Sequence, residues 1–307
     1  MTIGAEYARE RAHHRPGVGR YGWVAALIAF SMCWSTPVHA AQPLETETAR
    51  LPKQGGVELE GGVEFQASTK AQGTEWALPL AVEYGIFDSL SLLVEPVFLT
   101  AIRPVSGRGA TGLGDLEMTL TWRFLDEREW WPALAIAGEV KVPTARNTLI
   151  GTGETDYSPY MIASRRFGNF DTHLNIGYAF LGSPAGVKLD NIITYGAAAE
   201  YDLTENWDLV AEVIGNTSSS PRSTGGAGGG GETSAARVAG ATDGGDGGGG
   251  GGGESLVAAE ATGDEVSGLI GARYHVTPTF NLSLGVAYDS TGAVLFRPGV
   301  TYKFNLF

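Results

Sequence analysis

The chain has 307 residues, a formal net charge of −13 and a single cysteine. Residues 1–41, interpreted below as a signal peptide, contain four Arg and two Glu, so their removal changes the formal charge from −13 to −15. A chain this acidic is not expected to bind nucleic acid. The remaining residues lack cysteine, so packing or backbone pairing must stabilise them in place of disulfides.

The first 41 residues have the order of a secretory signal peptide. Four Arg precede an apolar run from Trp23 to Trp34, and small residues lead to Ala40 and Ala41. A basic region, an apolar region and a small-residue cleavage site in this order direct export. The apolar run is shorter than the about 20 residues of a spanning helix. We therefore predict cleavage after Ala40 or Ala41 rather than a membrane anchor.

A polar stretch at 42–54 is predicted to be an irregular segment in the periplasm. Strand-like segments follow over 55–307, and most are longer than soluble strands, as membrane-spanning strands are. We predict twelve: 55–67, 74–86, 90–100, 114–125, 132–142, 155–167, 170–181, 191–203, 206–217, 264–276, 280–289 and 294–306.

The strand from Asp115 to Phe124 has two distinct faces. Leu, Met, Trp and Phe alternate there with Asp, Glu, Thr and Arg, and successive strand side chains point to opposite faces. Aromatic residues concentrate near strand ends, and connections are short at one set of ends and mostly long at the other. The pattern predicts an all-β fold, a transmembrane antiparallel up-and-down β-barrel of about 12 strands with periplasmic termini. A secreted β-sandwich or lipocalin-like barrel is the alternative.

Residues 218–263 form a Gly-rich, acidic tract of low complexity. Such a composition cannot bury a core, so we predict a disordered extracellular loop. The tract lacks the glycine repeat of a calcium-binding β-roll.

Four short motifs resemble those of a known family. They are GLGDLEMTLTWRFL (112–125), EVKVPTA (139–145), GTGETDYSPYMIASRRFG (151–168) and NIGYAFLG (175–182). In this order they resemble the outer-membrane transporter family named for the meta-pathway of phenol degradation (MetA-pathway phenol degradation-like). Ala145 departs from the usual Gly of that pattern. The resemblance implies a barrel in the outer membrane of a Gram-negative bacterium that transports small molecules.

The last strand is a predicted contact with the machinery that inserts outer-membrane barrels. That machinery recognises a C-terminal strand that ends in an aromatic residue, and GVTYKF from Gly299 to Phe304 resembles such a strand. Asn305, Leu306 and Phe307 follow it, so the sequence leaves two candidates for the terminal aromatic signal. Lipid of the outer membrane is the other predicted partner.

Alternation also assigns the polar residues that face the barrel interior. Oppositely charged residues on neighbouring strands predict either an ion-paired, largely plugged interior or an acidic pore for cations or neutral solutes. The predicted pore-lining residues are Glu83, Asp115, Glu117, Arg123, Glu139, Lys141, Asp156, Arg166, His173, Asn175, Glu200, Asp202, Asp208, Glu212, Arg273 and His275.

Signals of enzymes and cofactors are weak. GRGATG at 107–112 matches a dinucleotide-binding motif, but it precedes a strand where that motif needs a helix. After residue 41 the only histidines are His173 and His275, which argues against a metal site. Ser164, His173 and Asn175 form the one enzymatic alternative, an outer-membrane Ser–His–Asn hydrolase. We predict no cofactor and no enzymatic activity.

The sequence therefore predicts an outer-membrane channel or transporter for small solutes, with aromatic or hydrophobic compounds as candidates. The alternative from another class is a closed structural or adhesive barrel whose surface loop binds a partner.

Overall fold

The computed structural model describes residues 43–68, 73–105, 107–219 and 264–307. The predicted signal peptide and nearly all of the Gly-rich tract lie outside these residues, so both stay predictions. No helix among the described residues is long and apolar enough to cross a membrane.

Fourteen strands form one antiparallel sheet. They are β1 (Gly56–Gly62), β2 (Glu64–Ser68), β3 (Thr74–Phe87), β4 (Leu90–Arg103), β5 (Ala110–Gly112), β6 (Leu116–Leu125), β7 (Ala133–Val142), β8 (Asp156–Phe167), β9 (Phe170–Ala179), β10 (Ile192–Asp202), β11 (Trp207–Asn216), β12 (Glu265–Thr277), β13 (Phe280–Asp289) and β14 (Ala293–Asn305).

The fourteen strands make a barrel of twelve. β1 and β2 are separated only at Val63, and both pair with β3 and β14. β5 and β6 are separated by residues 113–115, and both pair with β4. β1 pairs with β14, with Val57 opposite Phe304, and this pairing closes the sheet. The prediction of a closed antiparallel barrel of about 12 strands is confirmed.

The outer face of the barrel is apolar and the inner face is polar. In β6, Leu120 and Trp122 are about half exposed, whereas Glu117 and Thr119 are each 1% exposed. Aromatic pairs lie near both ends of the strands: Phe170–Tyr201 and Trp207–Tyr274 at one end, Phe65–Trp76 and Tyr178–Phe180 at the other. This distribution matches the aromatic girdles of barrels that sit in a bilayer.

The two rims of the barrel differ in their connections. The short-turn rim carries residues 88–89, 168–169 and 278–279, and Gly168 adopts a φ of 61°, which suits glycine in a two-residue turn. The long-loop rim carries longer connections such as 143–155, although 290–292 is short. The predicted alternation of connection lengths is therefore present only in part, because the short-turn rim also carries the seven-residue connection 126–132.

A charge placed on the outer face tests its contact with lipid. We expect Leu120→Arg to lower the free energy of unfolding in lipid vesicles by about 2–4 kcal/mol, the cost of a cation near the bilayer midplane. Denaturant titration of the refolded barrel measures this. Val105→Arg, in an exposed loop, is the matched control, and an equal effect of both changes would contradict lipid contact at Leu120.

Candidate functional site

Residues 43–54, called here the N-terminal segment, lie inside the barrel. Leu44 packs on Ala198, Val210 and Leu269 of the inner wall, and Ala49 packs among alanines of β7 and Ile162 of β8. The expectation of a periplasmic segment is corrected by these contacts. Only the end of the segment reaches the short-turn rim, where the Gln54 amide donates to Asp88 in the β3–β4 turn.

Inner-face glycines make room for the segment. A Cβ on Gly196 would lie 2.9 Å from Thr46 Oγ1, and one on Gly271 or Gly285 would lie 2.9 Å from Pro43. Glycines at these positions on three different strands form the groove in which the segment lies. In the sequence the groove is visible as small residues on the polar face of β10, β12 and β13.

Wall side chains satisfy the backbone of the segment, which pairs with no strand. The carboxylate of Glu212 accepts hydrogen bonds from the amides of Glu45 and Thr46. The Ser164 hydroxyl accepts one from the Ala49 amide at 2.9 Å, and Asn175 Nδ2 donates to the Glu47 carbonyl at 3.0 Å. Buried peptide groups need such partners, so the wall specifies the path of the segment.

Arg50 anchors the segment near the short-turn rim. Its Nε and Nη2 donate to the two oxygens of Asp171 at 2.5 and 2.8 Å, and Nη2 also donates to Glu127 at 2.6 Å. Asp171 is fully buried. A two-point contact between a guanidinium and a carboxylate combines charge with fixed geometry.

Arg297 is a second anchor, deeper in the barrel. Its side chain donates to Glu64 at 2.7 Å and to the Pro43 carbonyl at 3.2 Å, and it lies 2.8 Å from Glu45. Sequence reasoning missed Arg297 and Glu64. The position of Arg297 in its strand could have indicated that it faces inward, because it shares its strand face with the inward residues Thr301 and Lys303.

The predicted pore-lining residues all belong to the inner side of the barrel. Those that are buried are Asp115, Glu117, Glu139, Lys141, Asp156, His173, Asn175, Glu200, Asp208, Glu212 and Arg273. Those that are partly exposed are Glu83, Arg123, Arg166, Asp202 and His275. Their low exposure indicates a filled interior, and their role in lining a pore stays a prediction.

Ion pairs join several of these residues. Arg273 lies 2.6 Å from Glu200, Arg166 lies 2.6 Å from Asp202, and Lys141 pairs with Asp156. Acids nevertheless predominate, because the described residues include fourteen buried carboxylate side chains against four buried Lys or Arg. The interior is therefore both ion-paired and acidic.

The predicted Ser–His pair is present, but its surroundings do not suit a nucleophile. His173 Nδ1 lies 2.9 Å from Ser164 Oγ, and His173 Nε2 lies 3.7 Å from Glu200. Asn175 binds the N-terminal segment instead of joining the pair. Ser164 is fully buried beneath Ala49. No group of three or more His, Cys, Asp or Glu in the described parts of the chain is arranged to hold a metal ion.

Comparison with known proteins finds structural likeness alone. No family model matches the sequence, and no curated protein matches it significantly. An outer membrane channel from Pseudomonas putida F1 superposes with a TM-score of 0.57 at 13% identity, over 87% of this chain and 100% of that one. The NanC porin superposes with a TM-score of 0.51 at 10% identity, over 81% of this chain and 100% of that one. The chain therefore shares its fold with outer-membrane channels, and the resemblance to the phenol-degradation family stays a prediction.

Removing the Arg50 anchor should release the N-terminal segment. Breaking a buried ion pair costs about 3–5 kcal/mol. Because Arg50 is partly exposed, we expect Arg50→Gln to destabilise the bound segment by about 1.4–3 kcal/mol, which raises the fraction of barrels with a released segment at least tenfold. Thr48→Cys provides a single thiol for maleimide labelling in a mature chain without cysteine. Its labelling rate should rise at least about tenfold with Arg50→Gln. The exposed Arg128→Gln is the control, and equal rates in both variants would contradict the anchoring role.

Ser164 is expected to position the segment and not to act as a nucleophile. We predict that the detergent-solubilised wild-type chain and Ser164→Ala hydrolyse p-nitrophenyl esters at the same background rate, because the hydroxyl is buried and bound to Ala49 and His173. An ester hydrolysis that disappears in Ser164→Ala would support the hydrolase alternative.

Proposed function

We propose that this chain is an outer-membrane channel for small solutes that the N-terminal segment closes at rest. The observation that carries the proposal is a closed barrel whose polar interior is occupied by residues 43–54, which pair with no strand. In a barrel of twelve strands, removal of such a segment leaves an interior wider than that of the filled eight-stranded barrels.

The contacts of the segment support its role as a gate. Side chains of the wall, such as Asp171 and Glu212, hold it, so its release breaks no strand pairing. Those side chains can then be hydrated by water that enters the interior. The barrel itself stays closed through the pairing of β1 with β14.

The location and partners are proposed on the same basis. The apolar outer face and the aromatic pairs at both ends of the strands support residence in the outer membrane. The end of β14 with Tyr302 and Phe304 is the proposed contact with the barrel-insertion machinery. Aromatic or hydrophobic solutes remain candidate cargo because of the family resemblance.

A closed structural barrel is the second candidate, and the low exposure of the interior residues favours it. The two functions differ in what happens when the segment is absent. A channel gains ion flow, whereas a structural barrel whose remaining side chains fill the interior does not.

Truncation of the segment tests the channel. We expect mature chain that starts at residue 51 to show discrete single-channel steps in planar bilayers, several-fold larger than those of the chain that starts at residue 42. In asymmetric salt the reversal potential should indicate cations, because buried carboxylates outnumber buried Lys and Arg.

Heat-modifiable migration on gels provides the folding control for both chains. A folded truncated barrel that carries no current would contradict the channel and favour the structural barrel.

A further inference from the structure

Arg165 lies on the outer face of the barrel wall, near the short-turn rim. Its neighbours in β8 point inward, because Ser164 is fully buried and Arg166 lies 2.6 Å from Asp202. Successive strand side chains alternate between faces, so Arg165 points outward, on the same face as the exposed Phe167. A cation on this face is costly near the bilayer midplane and much less so where it reaches a polar layer.

The side chain of Arg165 bends toward the rim. Its guanidinium carbon lies 4.9 Å from the ring centroid of Phe167, which is two residues closer to the β8–β9 turn. Its Nη2 donates a hydrogen bond at 2.8 Å to the backbone carbonyl of Glu129, in the connection 126–132 between β6 and β7. Long basic side chains extend in this way to keep their charge at the membrane surface. The ring and the carbonyl orient the guanidinium, but neither carries a negative charge that would neutralise it.

The connection that holds Arg165 also carries two exposed tryptophans. Trp130 and Trp131 follow Glu129 directly in the chain and are 77% and 63% exposed. Backbone hydrogen bonds between Arg128 and Trp131, at 2.9 and 3.2 Å, fold the connection into a tight turn. Tryptophan is enriched at the level of lipid headgroups, because its ring suits apolar contacts and its N–H suits polar ones. Arg165, Phe167, Trp130 and Trp131 are called here the Arg165 surface.

The charge of the Arg165 surface is complementary to a lipid phosphate. A guanidinium binds a phosphate group through two parallel N–H donors. A phosphate at Arg165 would supply the negative charge that the Glu129 carbonyl and the Phe167 ring do not.

The apolar wall beside Arg165 favours a lipid over other sources of phosphate. Met161 of β8 and Leu174 of β9 are exposed on the outer face, where acyl chains would contact them. Free phosphate has no group that makes this contact. A water-soluble protein would have to displace lipid from the wall to reach Arg165, because Arg165 leaves its strand farther from the rim than Phe167 does.

We propose that the Arg165 surface binds the phosphate of a glycerophospholipid from the leaflet that meets the short-turn rim. This inference rests on the proposed function for residence in a membrane, but it does not require conduction. The guanidinium contacts the phosphate, the two tryptophans lie at the level of the headgroup, and the acyl chains lie along β8 and β9.

Native mass spectrometry of the refolded, detergent-solubilised chain that starts at residue 42 tests the proposal. The probe is dioleoylphosphatidylglycerol, and we expect saturable binding with one tightly bound lipid per barrel. Dioleoylglycerol has the same acyl chains without the phosphate. It should bind at least about fivefold more weakly, as the loss of a charge-assisted hydrogen bond implies.

Two variants locate the site. Arg165→Gln should weaken binding of the phospholipid at least about fivefold for the same reason. Arg146→Gln removes an exposed arginine from the connection 143–155 at the long-loop rim and should leave binding unchanged. Heat-modifiable migration on gels identifies the folded chains. Equal weakening by the two changes, or equal binding of the two lipids, would overturn the proposal.

Fluorescence quenching provides a second measurement, which does not depend on the folding of Arg165→Gln. The chain is refolded into vesicles of dibrominated phosphatidylcholine, whose acyl chains quench nearby tryptophans. The change of both Trp130 and Trp131 to Phe should remove mainly emission that the lipid quenches. Loss of unquenched emission instead would place both tryptophans in water, which favours a protein partner and contradicts the lipid site.

The outcomes separate this inference from the proposed function. A truncated barrel that conducts, together with lipid binding that does not depend on the phosphate, contradicts the lipid site alone. Phosphate-dependent binding to the full chain together with a silent truncated barrel keeps the lipid site and contradicts the channel.

Discussion

Hydrocarbon offers no hydrogen-bond partner to a peptide group, so strands that cross it must satisfy their amides and carbonyls by pairing with each other. The pairing of β1 with β14 completes this pairing around the barrel. In a closed sheet each side chain points either to the lipid or to the interior, and Leu120 and Ile270 point outward. The polar side chains share the narrow interior, where their charges and hydrogen bonds determine what the barrel can hold.

The N-terminal segment shows how the interior uses those polar groups. Ser164, Asn175 and Glu212 pair with the backbone of the segment as a neighbouring strand would in a sheet. The segment also adds the carboxylates of Glu45 and Glu47, so it fills the interior without neutralising it. A removable segment in an acidic interior is the basis of the proposed gate.

The strands could be predicted because the alternation of apolar and polar residues within one segment is enough to identify a strand. That alternation extends over ten residues or more. The breaks at Val63 and at 113–115 depend on neighbouring strands and were not predicted. Local sequence also cannot predict where the N-terminal segment lies, because the Ala49 amide donates to Ser164, which is 115 residues away in the chain. Alternation gave seven of the fourteen buried acids among the described residues, and it placed Ser164 and His173 together correctly. It missed Arg297, because apolar residues such as Leu295 occupy both faces of β14.

The glycine groove also has an evolutionary consequence. A side chain at Gly271 or Gly285 would meet Pro43, and one at Gly196 would meet Thr46, although these positions lie far apart in the chain. At Gly196 and Gly285 a substitution is therefore tolerated only if the segment becomes smaller or moves, whereas a Cβ at Gly271 would also lie 2.6 Å from the Leu284 carbonyl oxygen of the wall. Selection would act on the groove and the segment together. In related chains a larger residue in the groove should therefore accompany a smaller residue in the segment, while the rest of the barrel varies independently.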